Sequence, residues 1–164
     1  MKTKPRAIGT AAETATRRLL SLYWPTADRS PLRGNRDQGD IQGTGIFIWE
    51  VKAGHAAREV NDGLLTEWMR QTEVERVNAK ATYGVLVTTR LGYGPARASR
   101  WWAWLPVDQF ATLVGGCYLP DAEMPIRLEL GALLELLADQ GFTADAPAEE
   151  PAADESDLEL VGGV

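Results

Sequence analysis

Residues 39–52 read GDIQGTGIFIWEVK, and this stretch decides the fold that we predict for the chain. Two segments rich in β-branched and aromatic residues flank the glycine-containing sequence GTG at residues 43–45. Such a pattern is typical of a β-hairpin whose turn lies at the glycines. We expect Gln42 to pair with Ile46 across this turn, because the turn fixes the register of the two strands.

Side-chain parity places two charged residues of the second strand on one face. Residues two apart in a strand point to the same side of a sheet, so Glu50 and Lys52 share a face. In the expected register Asp40 lies opposite Ile48 and is the diagonal neighbour of Glu50, roughly 7 Å away between backbones. Two carboxylates and one ammonium group are therefore expected to converge at this end of the hairpin.

The predicted carboxylate pair suits a hard divalent cation. Asp40 and Glu50 supply oxygen ligands, and the backbone carbonyl of Val51 is a third candidate ligand. The chain contains a single cysteine and a single histidine, which cannot assemble a Cys/His zinc site. We therefore expect Mg²⁺, with Mn²⁺ as a substitute, and Lys52 placed to orient a nucleophile or to neutralise a developing anion.

The segments around the hairpin predict an α/β fold. Helical periodicity or composition favours helices at residues 9–23, 62–81, 106–114 and 126–140, and β-rich runs favour strands at 83–89 and 101–105, with a short strand at 29–33. Thr10 and Glu13 have the spacing of a capping box at the start of the first helix. This order of elements indicates a central mixed β-sheet flanked by helices.

Charge and composition divide the chain into a body and a tail. The net charge is −6, but residues 143–164 hold seven acids and no Lys or Arg, so residues 1–142 carry 17 bases against 16 acids. We predict one domain over residues 1–142 and an acidic, disordered tail over residues 143–164, which has too little apolar surface to offset its ordering entropy. A near-neutral body can still present a basic face to nucleic acid.

The sequence offers no candidate for a membrane segment. No apolar stretch approaches the roughly 20 residues needed to cross a bilayer. The first residues, MKTKPRAIG, lack the apolar core of a signal peptide. We therefore expect a soluble, cytoplasmic protein without a membrane partner.

The residues at the hairpin resemble the signature of the PD-(D/E)xK, or restriction-endonuclease-like, nuclease superfamily. Here the signature stands as Gly39-Asp40 and then Glu50-Val51-Lys52, with glycine where proline is common in the family. Within that superfamily the pattern is most similar to archaeal-type Holliday junction resolvases and their phage relatives. Those proteins combine a first-helix glutamate, here Glu13, with an aspartate and a Glu-x-Lys pair. The match covers residues 9–89, about half of the chain.

This resemblance implies a restriction-endonuclease-like core and magnesium-dependent hydrolysis of DNA phosphodiester bonds. The implied catalytic residues are Glu13, Asp40, Glu50 and Lys52, with Glu13 as an auxiliary metal ligand or base. A resolvase cuts two opposed strands of a four-way junction, so a homodimer is implied as well. One alternative is a nicking, repair or restriction-type endonuclease on duplex or branched DNA, because a fold does not choose among these. The other is a non-catalytic DNA-binding module.

Candidate DNA contacts lie on either side of the predicted centre. Arg33 and Arg36 precede the hairpin, while Arg97 and Arg100 follow a glycine-containing loop, and such side chains commonly bind DNA phosphates. Gln71 lies in the second predicted helix, which packs beside the active site in the superfamily that the chain resembles. The alternative for all five is an ordinary solvated surface.

Two tryptophans are open to three interpretations. Trp102 and Trp104 share one face of a predicted strand, because they are two residues apart. Their large apolar surfaces suit core packing first, a dimer interface second, or a platform on which bases stack.

Overall fold

The computed structural model describes residues 4–31, 37–116 and 124–144. The described elements are α1 (Pro5–Leu20), β1 (Asp28–Arg29), β2 (Ile41–Thr44), β3 (Phe47–Lys52), α2 (His55–Arg58), α3 (Asp62–Asn78), β4 (Tyr83–Thr88), a 3₁₀ helix (Pro95–Arg100), β5 (Trp102–Pro106), α4 (Val107–Leu113), β6 (Pro125–Glu129) and α5 (Leu130–Asp139). None of these helices is long and apolar enough to cross a membrane.

The six strands form one mixed sheet in the order β1-β2-β3-β4-β5-β6. Strands β3 and β4 are parallel, whereas the other neighbouring pairs are antiparallel. The chain returns from β3 to β4 through α2 and α3, as a parallel connection requires. The predicted α/β architecture, a mixed sheet flanked by helices, is confirmed.

The two faces of the sheet enter different cores. Trp49 and Val85 lie on the face covered by α1 and α5, where Leu133 and its neighbours are fully buried. On the opposite face Leu86 and Trp104 pack against α3. Because parity alternates along β3, Glu50 and Lys52 belong to this second face. The charged residues of the hairpin therefore lie on the face that α3 covers.

Strand β4 brings α3 close to the sheet. All six of its residues are buried, as its apolar run predicts for a strand covered on both faces. At Gly84 a Cβ atom would lie 3.2 Å from Thr72 Cγ2 and 3.3 Å from Arg76 Cβ, both on α3. A glycine inside a strand commonly marks such a close approach.

The register of the β2–β3 hairpin differs from the predicted one. Ile41 pairs with Trp49, so the predicted pairing of Gln42 with Ile46 is wrong. The turn is also displaced toward Gly45, which has φ of +66°. Asp40, just before β2, therefore lies level with Glu50. This position is two residues further along β3 than Ile48, the partner that was expected.

A bulge in β2 explains the change of register. Between its paired residues Ile41 and Thr44, β2 has one residue more than β3 has between Phe47 and Trp49, which is the pattern of a β-bulge. Gly43 lies in this bulge with φ of +80° and extends β2 instead of forming the turn. The sequence pattern alone cannot distinguish these two uses of a glycine.

The first helix begins earlier than predicted. It starts at Pro5 rather than at residue 9, because proline suits the first turn, where its missing N–H leaves no hydrogen bond unmade. Thr10 consequently lies inside the helix, and the predicted capping box with Glu13 is wrong. Helix α3 does carry a side-chain cap, since Asn61 Oδ1 accepts from the Leu64 N–H at 2.9 Å.

Residues 126–140 do not form one helix. Pro125–Glu129 is the edge strand β6, and α5 extends only from Leu130 to Asp139. The leucine-rich helix that follows masked the short strand in the sequence pattern. Two smaller differences are that the strand expected at 29–33 is limited to Asp28–Arg29 among the described residues, and that the short helix α2 was not predicted. Almost all of the predicted tail lies outside the described residues.

Candidate metal and catalytic centre

The bulged hairpin holds Asp40 beside Glu50. The Asp40 backbone N–H donates to the Trp49 carbonyl at 2.8 Å. Its side-chain Oδ2 accepts from the Val51 N–H at 2.7 Å. One hydrogen bond therefore fixes the backbone of Asp40 on β3 and the other fixes its carboxylate, and Asp40 lies directly next to Glu50 instead of diagonal to it.

Gly39 explains why the chain lacks a proline before this aspartate. Its φ is +84°, a conformation that glycine adopts without strain and that the proline ring forbids. A Cβ at this position would also lie only 3.1 Å from the Trp49 carbonyl oxygen. Proline could therefore not adopt the backbone conformation that this position has.

Lys52 completes the set that parity predicted on β3. Its Nζ lies 2.6 Å from Glu50 Oε1 and 6.0 Å from the centre of the Trp68 ring on α3. Glu50 is only 6% exposed. The structure therefore brings Asp40, Glu50 and Lys52 into one partly buried cluster, as expected from the sequence.

Helix α3 adds a carboxylate that the sequence analysis missed. Glu75 is 7% exposed, and its Oε2 atom is buried without a hydrogen-bond partner. It lies close enough to Glu50 for the two carboxyl groups to interact directly. Gln71 lies one helical turn before Glu75 and donates to Glu67 at 3.0 Å. The four-residue spacing of Gln71 and Glu75 places both on one face of α3, and this spacing is the sequence signal that could have identified Glu75.

Burial raises the pKa values of all three clustered carboxyl groups. The pKa of Asp40 rises from 3.8 to about 7, through burial first and then through repulsion from Glu50. The pKa of Glu50 rises to about 7, because burial outweighs the opposing attraction of Lys52. Burial likewise raises the pKa of Glu75 to about 6. Burial alone would lower the pKa of Lys52, but the neighbouring carboxylates raise it overall.

The fully ionised cluster carries more negative than positive charge. When ionised, three carboxylates face one ammonium group, and unpaired buried charge is costly. A divalent cation would offset the excess. Asp40 and Glu75 each lie beside Glu50, but among the described residues no three acidic, His or Cys side chains are arranged to hold a metal by themselves. Mg²⁺ commonly uses one or two carboxylates and keeps several waters, so Asp40 and Glu50 fit it.

Metal-free wild-type protein is expected to lose stability relative to Asp40→Asn as the pH rises from about 4 to about 7. Since the folded state raises the pKa of Asp40, it favours the protonated carboxyl group. This contribution is fully present below the ordinary pKa and is lost as the pH approaches the folded value, whereas Asn does not titrate. The expected relative change is about 2–4 kcal/mol.

Urea unfolding of both proteins in EDTA, at about pH 5 and about pH 8, measures this difference. The free energy of unfolding of wild type should fall relative to that of the variant. A parallel pH dependence of the two proteins would contradict the raised pKa. Because only the ionised carboxylate binds a cation, added Mg²⁺ should stabilise wild type more at the higher pH.

Glu13 lies near this cluster but has its own partner. Its carboxylate pairs with Arg29 of β1. Its negative charge nevertheless contributes to the raised pKa of Asp40. The structure thus places Glu13 at the edge of the cluster, where a pairing with Arg29 competes with the predicted role as metal ligand or base.

Of the arginines predicted to contact DNA, the two that the structure describes are not part of the cluster. Arg97 and Arg100 lie in the 3₁₀ helix, where Arg97 donates to the Gly92 carbonyl and Arg100 pairs with Glu129. Arg33 and Arg36 lie outside the described residues.

No protein family, curated protein or solved structure that was compared matches the chain. The functional assignment therefore depends on the residues of the cluster and on their geometry.

Proposed function

We propose that this chain is a metal-dependent DNA endonuclease with a restriction-endonuclease-like core, and that its leading substrate is the four-way Holliday junction. The observation that carries the proposal is the partly buried cluster of Asp40, Glu50 and Lys52 on adjoining segments of one hairpin. An aspartate and a Glu-x-Lys pair that meet in space are what the nuclease signature requires.

The surrounding elements support the same proposal. Helix α1 precedes the hairpin and carries Glu13, and α3 packs beside the cluster, which is the placement that the resemblance implies. The Oε2 atom of Glu75, which is buried without a hydrogen-bond partner, adds a reason for a cation at this point. A structural ion pair alone does not account for two buried carboxylates and one partly buried carboxylate around one lysine.

In the proposed mechanism each residue has a distinct role. Asp40 and Glu50 would hold Mg²⁺, or Mn²⁺ in its place, with the Val51 carbonyl, Glu75 and Glu13 as further candidate ligands. When bound, the cation supplies a Lewis acid and lowers the pKa of a coordinated water. The ammonium of Lys52, held at 2.6 Å from Glu50, neutralises negative charge that develops on the attacked phosphate. Glu13 acts as an auxiliary charge beside Asp40.

A homodimer is part of the proposal because a junction has two opposed strands to cut, and a two-fold axis supplies two equivalent centres. The same centre in a monomer would suit a nicking, repair or restriction-type endonuclease on duplex or branched DNA. A protein that binds DNA through this fold without cutting it is the non-enzymatic alternative.

The experiment that tests the proposal compares cleavage of a labelled four-way junction with cleavage of a linear duplex of the same arm sequence. Each substrate is incubated with wild-type protein in Mg²⁺, with wild-type protein in EDTA, and with the Glu50→Gln variant in Mg²⁺. Symmetric, Mg²⁺-dependent cuts confined to the junction are expected. Equal cutting of the duplex would favour a general endonuclease, and tight binding without any cutting would favour the binding module.

A further inference from the structure

A second feature lies at β5, β6 and the segment before them, where four arginines surround two aromatic rings. We call it the arginine–aromatic surface, and it comprises Arg90, Tyr93, Arg97, Arg100, Trp102 and Arg127. Its residues come from the segment after β4, the 3₁₀ helix, β5 and β6. The catalytic proposal assigns no role to Arg90, Arg127 or the two rings.

The two rings orient the guanidinium groups. Arg90 and Arg127 place their guanidinium carbons 4.0 and 4.1 Å from the centre of the Trp102 ring. Around Tyr93 the corresponding distances are 4.7 Å for Arg90, 4.9 Å for Arg97 and 5.4 Å for Arg100. Guanidinium groups at these distances gain from cation–π attraction. Their N–H groups are thus directed before any ligand arrives, which lowers the entropy cost of binding.

The surface keeps most of its positive charge. Glu129 accepts from Arg90 at 2.8 Å and lies 3.2 Å from Arg100. Arg97 and Arg127 are exposed, and neither forms an ion pair with any residue that the structure describes. Four arginines therefore face one paired carboxylate, an excess that suits a polyanion.

The register of the sheet places Trp102 and Arg127 on the same face as the candidate centre, whereas Tyr93 and the 3₁₀ helix pack against the core that α1 and α5 cover. Thr88 pairs with Lys52 on one side and with Trp102 on the other, and directly paired residues point to the same face. Trp104 is paired with Arg127 in the same way. Two strand spacings separate Lys52 from Trp102, which is about 10 Å.

We infer that the arginine–aromatic surface binds the phosphate backbone of the DNA strand whose scissile phosphate lies at Lys52, a few nucleotides away from the cut. Phosphates along one strand recur at short intervals, so a strand that crosses the sheet from β3 toward β6 brings several of them over the surface. Guanidinium groups bind phosphate oxygens in pairs. This inference rests on the proposed function for the identity of the strand.

The test measures DNA binding in EDTA, so that it does not depend on cleavage. Fluorescence anisotropy of a labelled four-way junction is recorded with wild type, with the double variant Arg97→Gln/Arg127→Gln, and with Lys80→Gln. Lys80 is an exposed cation beyond the end of α3 and lies near Phe47, at the opposite end of β3 from Lys52. We expect the double variant to bind about 10-fold or more weakly and its salt dependence to fall by nearly one unit of slope for each lost phosphate contact. Lys80→Gln should bind within about 2-fold of wild type.

The outcomes separate this inference from the proposed function. Weaker binding by the double variant supports the inference even if wild type never cuts DNA. Affinity and salt dependence equal to those of wild type would overturn it, even if Mg²⁺-dependent cleavage is found. A loss of self-association in the double variant with no change in DNA affinity would assign the surface to a second copy of the chain, and would overturn it too.

Discussion

Asp40→Asn and Lys52→Ala are each expected to lower the rate of DNA cleavage by about 10³-fold while leaving DNA binding within a few fold of wild type. Asp40 is held by two hydrogen bonds to β3, and its replacement removes an anionic oxygen from the proposed metal site. Lys52 contributes the ammonium of the cluster. In the proposed mechanism Asp40 holds the cation and Lys52 neutralises charge on the attacked phosphate, so the loss should appear in the single-turnover rate rather than in affinity.

Two exposed residues provide matched controls for this prediction. Asp139→Asn removes a carboxylate at the end of α5, and Lys80→Ala removes an ammonium beyond the end of α3, in both cases on exposed residues. Neither control should change the cleavage rate by more than about 2-fold, as for surface residues remote from the reaction. Equal single-turnover rates for wild type, Asp40→Asn and Lys52→Ala would refute the catalytic role of the cluster.

Trp49→Ala is expected to reduce the free energy of unfolding by about 3–5 kcal/mol. Trp49 is fully buried, and its Nε1 donates to Thr44 Oγ1 at 3.0 Å. Its ring also lies 6.0 Å from that of Trp24 and 6.1 Å from that of Phe47. The substitution removes a large apolar surface, leaves a cavity in the main core, and removes one of the two hydrogen bonds of the Thr44 hydroxyl, which still donates to the Phe47 carbonyl.

Urea unfolding followed by circular dichroism measures this loss, with Leu22→Ala as the control. Leu22 is 78% exposed, so its truncation should change stability by less than about 0.5 kcal/mol. A loss below about 1 kcal/mol for Trp49→Ala would contradict the position of this ring in the core. Since Trp49 immediately precedes Glu50, the variant also reports how strongly the core on one face positions the cluster on the other.

The parts of the site that sequence could predict depend on the period of a strand. Successive side chains of a strand point to opposite faces of the sheet, and this rule depends only on neighbouring residues. Glu50 and Lys52 were therefore correctly placed on one face. The register across the hairpin was not predictable in the same way, because Gly43 suits a turn and a bulge equally well. Asp40 was therefore correctly predicted to lie near Glu50, but its predicted register position was wrong.

The parts that sequence could not predict depend on tertiary packing. Glu75 is one of many charged residues on α3, and only the docking of that helix on the sheet distinguishes it from its neighbours. The edge strand β6 was hidden because its five residues run directly into the leucine-rich α5. In both cases the missing information concerns contacts distant along the chain, which local propensity does not contain.

The missing side chain at Gly84 has a consequence for how the cluster is tuned. Because Gly84 has no side chain, Thr72 and Arg76 can pack closely on the sheet. The turn of α3 that bears Glu75 lies close to the sheet with them. Alanine there would require Thr72 or Arg76 to move by a few tenths of an ångström, and a larger side chain would push the turn that bears Glu75 away from the sheet. The burial that raises the pKa of Glu75 thus depends in part on a residue that has no functional group of its own and lies on a different strand from Asp40 and Glu50.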